Sequence, residues 1–279
     1  MTEDLIIDQT SVLKHYEIES VNFFSEYLDR NIKLDIYLPF NVVDSSSLRL
    51  LLINDGQDLP QMPFGPMLDG LVGGGEIEPV LAVGMYCNAD RKLEYGTADE
   101  LDYMNRGSRA KYHRKFILKE LLPWISETYK VPVFKEKLFA GFSLGGLGAL
   151  DIVWKHPEVF SCAGIFSGSF WWRLKDLKHG YVEETDRIMH KLIREGSFSG
   201  NLRFFFQTGN LDETMDRNNN GIIDSIDDTI TLIEELERKG YDESNMVYLE
   251  IEDGRHDVPT WARAFPVFLK WSCGKKINE

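Results

Sequence analysis

Cysteine is scarce here: Cys87, Cys162 and Cys273 are three in 279 residues, an odd number with no close pair. That spacing excludes a disulfide framework and a zinc knuckle. Reduced thiols are left, as expected of an intracellular protein. Positive charge is also short, with 31 Lys and Arg against 45 Asp and Glu, giving a formal net charge of -14. So acidic a chain repels phosphate backbones and anionic membrane surfaces, so neither nucleic acid nor a membrane is expected as a partner. The first eight residues carry Glu3 and Asp4 ahead of a short apolar pair, with no basic start and no long apolar run. No signal peptide is read there, and a cytoplasmic location is expected. Repeats, low-complexity runs and interdomain linkers are missing as well. The remainder, 43% hydrophobic and 12% aromatic, is a globular chain long enough to bury a sizeable core, read as one domain over residues 1–279.

Between His15 and Phe40, two runs alternate apolar and polar residues around Leu28-Asp29-Arg30-Asn31, which predicts an antiparallel hairpin at a sheet edge. Later runs at 48–53, 80–86, 138–140, 159–166, 202–207 and 246–251 are short and nearly all apolar, as in strands with helices on both faces. Helical patterns fall between them: a short one near Met67, a long one over 108–129 capped by Ser108 and kinked at Pro123, one reaching His156, and others over 183–195, 226–239 and 261–271. The alternation predicts an α/β fold with a mostly parallel, helix-covered sheet.

The stretch 137–150, KLFAGFSLGGLGAL, organises the chain. Gly141-Phe142-Ser143-Leu144-Gly145 fits G-x-S-x-G between an apolar strand and an apolar helix, the pattern of a nucleophile elbow. A serine on so tight a turn has strained backbone angles, and small residues two before and two after it avoid a clash. Unsatisfied N–H groups at the start of the following helix can stabilise an oxyanion, and the Leu144 N–H points the right way. The same five residues also fit a glycine-rich turn whose serine merely caps a helix.

A serine hydroxyl needs a base within hydrogen-bond reach and an acid to orient that base. In doubly wound hydrolases these follow in the order serine, acid, histidine, on loops after later strands. Of six histidines, only His256 follows both Ser143 and a strand; His113, His156 and His190 fall in helices, His15 precedes the sheet and His179 sits in an irregular stretch. The acid is sought after the LRFFFQ strand, where Asp212 is the candidate, with Glu213 and Asp216 as alternatives. A second oxyanion amide, from Gln57 or Gly56, is expected in Asn54-Asp55-Gly56-Gln57-Asp58 at the end of the 48–53 strand.

Three motifs, GFSLGG around Ser143, TGNLDE around Asp212 and DGRHDVPTWARAFPVFLKW around His256, resemble in order the nucleophile, acid and base motifs of the Putative esterase family of α/β-hydrolases, which includes enterochelin esterase and feruloyl esterase relatives. The resemblance runs over most of the chain. It implies an α/β-hydrolase three-layer sandwich with an antiparallel N-terminal hairpin. It also implies hydrolysis of carboxylic esters of siderophores, hydroxycinnamoylated sugars or thiols. No cofactor is needed for catalysis by Ser143, His256 and Asp212. A mycolyltransferase branch of the family transfers acyl groups, so acyl transfer is one alternative; a binding protein with an inert elbow on the same fold is another.

For the substrate, a small acylated molecule, the irregular stretch 87–107 is expected to lie over the same sheet edge as the elbow, with Tyr95 facing it. Trp171 and Trp172 are adjacent and cannot both point inward from a strand end, so an aromatic wall for an aryl or sugar ring is one reading and plain core the other. Beyond Asp212, residues 216–227 place Asp216, Asn218, Asn220, Asp224 and Asp227 at positions 1, 3, 5, 9 and 12 of an EF-hand-like loop, with Gly221 at position 6. The spacing looks most like the calcium loops of dockerin modules. It predicts a structural Ca2+ held with help from the Ile222 carbonyl; a solvated Asn/Asp turn is the alternative.

Overall fold

Most of the strands that are almost wholly apolar in sequence take two neighbours. In the computed structural model, which describes residues 13–40, 42 and 45–275, they form the centre of one eight-stranded sheet. The first eight residues, read above for a leader, lie outside the described residues. The strands are β1 (Tyr16–Ser25), β2 (Arg30–Pro39), β3 (Arg49–Asn54), β4 (Val80–Met85), β5 (Lys137–Phe142), β6 (Cys162–Phe166), β7 (Arg203–Leu211) and β8 (Met246–Arg255). Their order is β1-β2-β4-β3-β5-β6-β7-β8. The hairpin of β1 and β2 joins the edge of β4 antiparallel, and every pairing from β4 through β8 is parallel. This is an α/β-hydrolase fold with an antiparallel N-terminal hairpin.

Every residue of β3 and β4 is buried, and their side chains alternate between two cores. Leu50, Leu52, Leu81 and Val83 face one layer; Leu51, Ile53 and Ala82 face the other. The first layer is built from α2 (Arg91–Glu94), α3 (Ala110–Lys115), α4 (Leu122–Thr128), α5 (Leu144–Lys155), α6 (Glu183–Asp186), α7 (Ile188–Glu195) and α8 (Asp224–Lys239), which supply Leu147, Ile193 and Leu232 among others. The second is built from α1 (Phe64–Gly73) and α9 (Val258–Cys273) through Phe64, Leu68, Phe265 and Phe268. Parallel pairing brings the C-terminal ends of β3, β5, β6, β7 and β8 to one edge, where ligands of such sheets bind.

Several boundaries differ from the sequence expectation for identifiable reasons. The helix expected over 108–129 is broken by a π turn at Phe116–Leu121, whose Leu122 N–H reaches back to the Ile117 carbonyl. The longer reach accommodates Pro123, which has no N–H to donate. The helix expected over 183–195 is split at Arg187, which is extended and bridges Arg173. Strands β7 and β8 run several residues past their apolar cores, with a register shift between Gly209 and Leu211. That extension carries Asp212 and His256 to the rim of the sheet. The last helix starts at Val258 because the Asp257 carboxylate accepts the Thr260 N–H at 3.0 Å, a cap that contributes about 1 kcal/mol.

Two histidines of the helical layer are buried and neutral. The His113 ring meets the Asn54 side-chain oxygen at 3.2 Å, and burial, helped by Arg30, pushes it down to about 3. The His190 ring bonds to the Asp228 carbonyl at 2.9 Å, and burial with Arg187 holds it well below the ordinary value. Below the ordinary histidine value of 6.5 the unfolded chain takes up protons that the folded chain refuses, so both groups lower stability as pH falls from 6.5 toward 3. Thermal unfolding measured across that range is expected to show a shallower decline of Tm for His113→Asn than for wild type. Equal slopes would contradict a neutral buried His113.

Candidate active site

The apolar strand β5 delivers Ser143 to the C-terminal edge of the sheet, and the backbone reverses there. Ser143 has φ 55 and ψ -120, the left-handed region that a non-glycine residue adopts only when its surroundings enforce it. They do so from three sides. Its N–H donates to the Phe166 carbonyl at 2.9 Å, and its own carbonyl accepts from Gly146 and Leu147 at 3.1 Å and from Ser169 at 3.2 Å. A Cβ on Gly141 would sit 2.4 Å from the Gly145 carbonyl carbon, and one on Gly145 would sit 2.6 Å from Asp55 Oδ2. Only hydrogen fits at either place. The half-buried Ser143 hydroxyl has the Ser169 hydroxyl as its near neighbour, at 3.2 Å.

Beside the elbow, β3 ends in a turn with Asp55 at φ 61, followed by the short turn Gly56–Asp58. A Cβ on Gly56 would lie 2.5 Å from the Gly84 carbonyl carbon, so this turn is pressed against the end of β4. The Gln57 side chain fixes it further, donating to Asp55 Oδ1 and accepting the Cys87 N–H, both at 3.2 Å. The Leu144 N–H opens a helix and so has no carbonyl one turn earlier to receive it.

Asp212 and His256 stand just past β7 and β8. Both Asp212 carboxylate oxygens are buried and have no hydrogen-bond partner among the described residues. Burial pushes the Asp212 carboxyl up, while the Gly209 backbone, the Ser167 hydroxyl and the His256 ring favour its ionised form. Ser167, itself at φ 47, accepts the Trp261 indole N–H at 3.0 Å. His256 is exposed on one side and packs edge-on against Trp261, with ring centroids 5.5 Å apart. Desolvation lowers its pKa from 6.5, Arg91 lowers it too, and Asp212 and Asp257 oppose them. Among the described residues no hydrogen bond joins His256 to Ser143 or Asp212. Of the alternative acids, Glu213 lies beside Asp212, and burial pushes it up to about 6; Asp216 is engaged in its own loop.

The substrate residues require correction. Tyr95 is 2% exposed, its hydroxyl accepts the Asp55 N–H at 3.2 Å, and its ring packs edge-on against His113. Trp172 is fully buried, with Gly96 and Gly107 against its ring and its indole N–H on Thr97 at 3.1 Å. Both are therefore core, and only the half-buried Trp171 is open, with the Arg106 guanidinium 4.7 Å from its ring centre. The stretch 87–107 is less open than expected because Glu94 pairs with Arg30, and Asp102 with Arg106. A basic recess of about 400 Å³ lined by Arg114, Lys115, Lys119, Lys155 and Asp99 contains none of the candidate catalytic residues.

In the 216–227 loop, Asp216 accepts the Asn220 and Gly221 N–H groups at 3.1 and 2.9 Å, and the Asn218 and Asn220 amides donate to Asp227 at 3.2 and 2.8 Å. Asp224 departs from its expected place as a ligand. It is buried and accepts the Arg217 N–H at 2.9 Å, because Arg217 is drawn inward by Asp228 and Glu183. Among the described residues no group of three or more His, Cys, Asp or Glu is arranged to hold a metal ion.

Residues 25–271 match the Putative esterase family. The chain belongs to that family. An endo-1,4-beta-xylanase/feruloyl esterase of Xylanibacter ruminicola is 25% identical over 169 residues, covering 56% of this chain and 22% of that protein. The enterobactin esterase of Shigella flexneri, solved in the presence of enterobactin, has 20% identity and a TM-score of 0.70 over 91% of this chain and 58% of its own. A ferulic acid esterase has 17% identity and a TM-score of 0.66 over 92% of this chain and 97% of its own. This family member thus spans 22% and 58% of the length of the first two. The solved structures share this chain's fold. No helix among the described residues is long and apolar enough to cross a membrane.

Sterics at the elbow give a direct test in this esterase-family chain. Gly145→Ala would force its methyl into Asp55, and a change of that kind costs about 1 to 3 kcal/mol in stability. Its Tm is expected to fall by several degrees. An unchanged Tm in the variant would contradict the tight approach of the elbow to β3.

Proposed function

We propose that this chain is a serine carboxylic-ester hydrolase whose nucleophile is Ser143. The observation that carries the reading is the enforced φ 55 of Ser143 at the turn between β5 and α5, with Asp212 and His256 presented from the ends of β7 and β8 on the same sheet edge. Ser143 Oγ attacks the ester carbonyl carbon while His256 accepts the hydroxyl proton. Asp212, a buried carboxylate whose ionised form the Gly209 backbone and the Ser167 hydroxyl favour, receives the opposite N–H of the imidazole and favours the imidazolium. The oxyanion takes the Leu144 N–H and one from Gln57 or Gly56. His256 then returns the proton to the departing alkoxide oxygen, leaving an acyl-enzyme, and water attacks that ester with His256 as base.

Burial and Arg91 hold His256 below 6.5, so it is an unprotonated base across neutral pH, and the acid limb of kcat/KM is expected below pH 6.5. The substrate is a small acylated molecule of the siderophore-, sugar- or aryl-ester kind, in keeping with the named esters of the related esterases and with the half-open ring of Trp171, two residues after Ser169. Ser143→Ala is expected to lower hydrolysis of p-nitrophenyl acetate by about 10⁴-fold or more. A variant with full activity would contradict the assignment. Acyl transfer differs only in the acceptor, and product analysis with added alcohols separates the two.

A structural Ca2+ in the 216–227 loop is a second element of the proposal. What supports it is the spacing of oxygen-bearing side chains, Asp216, Asn218, Asn220 and Asp227 with the Ile222 carbonyl, gathered in one hydrogen-bonded loop, while Asp224 is committed to Arg217. The cation would pin the segment between Asp212 and α8 without entering the reaction. Calorimetry is expected to register Ca2+ binding with a rise in Tm, both lost in Asp216→Ala; no heat and no shift would refute it.

A further inference from the structure

The elbow and the oxyanion turn come from strands whose residues are far apart in sequence, yet hydrolysis needs their N–H groups fixed on one oxygen atom. Two adjacent residues at the end of β3 span the gap. The Asn54 amide, fully buried, donates to the Gly145 carbonyl at 2.9 Å, just after Ser143. Asp55, with a side chain 1% exposed, receives Arg91 on both oxygens, from Nε and Nη2, each at 2.7 Å. The same Nη2 donates to the Phe142 carbonyl at 3.2 Å, just before Ser143. Asp55 Oδ1 also accepts from Gln57, so one carboxylate ties Arg91 to the turn that carries the Gly56 and Gln57 amides. Nothing in the proposed chemical steps uses Asp55 or Arg91, and a buried carboxylate with a forked guanidinium is costly unless it holds a geometry.

We infer that the Asp55–Arg91 pair is a positioning device that locks the oxyanion turn of β3 to the nucleophile elbow of β5, so that Arg91 acts on turnover through geometry and through its charge rather than by holding substrate. The inference rests on the esterase reading above and deepens it. Arg91 is placed for this role because one planar fork reaches two carboxylate oxygens and a carbonyl together, which a lysine cannot do. It also stands near His256, where the facing charges are Asp212 and Asp257 on one side of the balance and Arg91 on the other.

The test compares Arg91→Lys, Arg91→Met and Asp55→Asn, each first shown to be folded by circular dichroism. Hydrolysis of p-nitrophenyl acetate should lose on the order of 10- to 100-fold in kcat in all three, with KM within about threefold of wild type. Asp55→Asn combined with Arg91→Met should lose little more than either alone, since the two act as a unit. NMR titration of the His256 ring, which needs no turnover, should move upward in Arg91→Met and stay near wild type in Arg91→Lys, because only the first removes the charge. A rise in KM with kcat intact would make Arg91 a substrate-binding residue and overturn the inference, as would wild-type kcat in Arg91→Lys. A wild-type protein that neither turns over nor reacts with a fluorophosphonate at Ser143 would instead overturn the esterase reading, and the titration would still decide whether Arg91 sets the charge at His256. Should Arg91→Met fail to fold, Arg91→Lys, which keeps the charge, carries the test of kcat.

Discussion

The close approach of three backbone turns is the constraint on which the rest of this protein depends. Around Ser143, held at φ 55, Gly141 lies against Gly145, Gly145 against the Asp55 carboxylate, and Gly56 against the end of β4. None of these contacts leaves room for a methyl group. They require β3, β4 and β5 to be held in register, which the fully buried Leu and Val side chains on both faces accomplish. Stability and the proposed chemistry are thus coupled at one point: the hydrophobic layers fix the strands, the strands fix the turns, and the turns fix the serine.

Much of this was legible in the chain. The central strands showed as continuous apolar runs because a strand covered on both faces has no polar side, and the hairpin showed as an alternation because β1 is largely open to solvent. The glycine spacing around Ser143 announced a tight turn, and the order of Ser143, Asp212 and His256 along the chain anticipated their arrival at one sheet edge. What escaped was set by partners distant in sequence. Trp172 is core because Thr97, Gly96 and Gly107, all far earlier in the chain, close around it. Tyr95 is core because its hydroxyl serves Asp55, and no local pattern announces that. The π turn before Pro123 and the break at Arg187 likewise answer to local packing and not to periodicity.

Charge is distributed with the same economy. In an acidic chain some of the arginines are drawn onto buried carboxylates: Arg91 on Asp55 behind the elbow, Arg30 on Glu94 below the hairpin, and Arg187 with Arg217 on Asp228 beneath the 216–227 loop. That last cluster explains why the Asp224 carboxylate is engaged by Arg217. It also links the loop to the segment that carries Trp171, since Arg187 bridges Arg173. Ion pairs thus staple segments around the sheet edge, while the sheet below it is mostly hydrophobic.

The account stands on one geometric claim, that Ser143, His256, Asp212 and two backbone N–H groups converge on a single reacting ester. A crystal structure of the protein after reaction with a fluorophosphonate tests it most directly. The account predicts a covalent bond from Ser143 Oγ to phosphorus, the phosphoryl oxygen on the Leu144 N–H and on that of Gly56 or Gln57, and the His256 ring bonded to Asp212. An adduct on another residue, or one on Ser143 whose phosphoryl oxygen faces solvent with His256 turned away from Asp212, would contradict it.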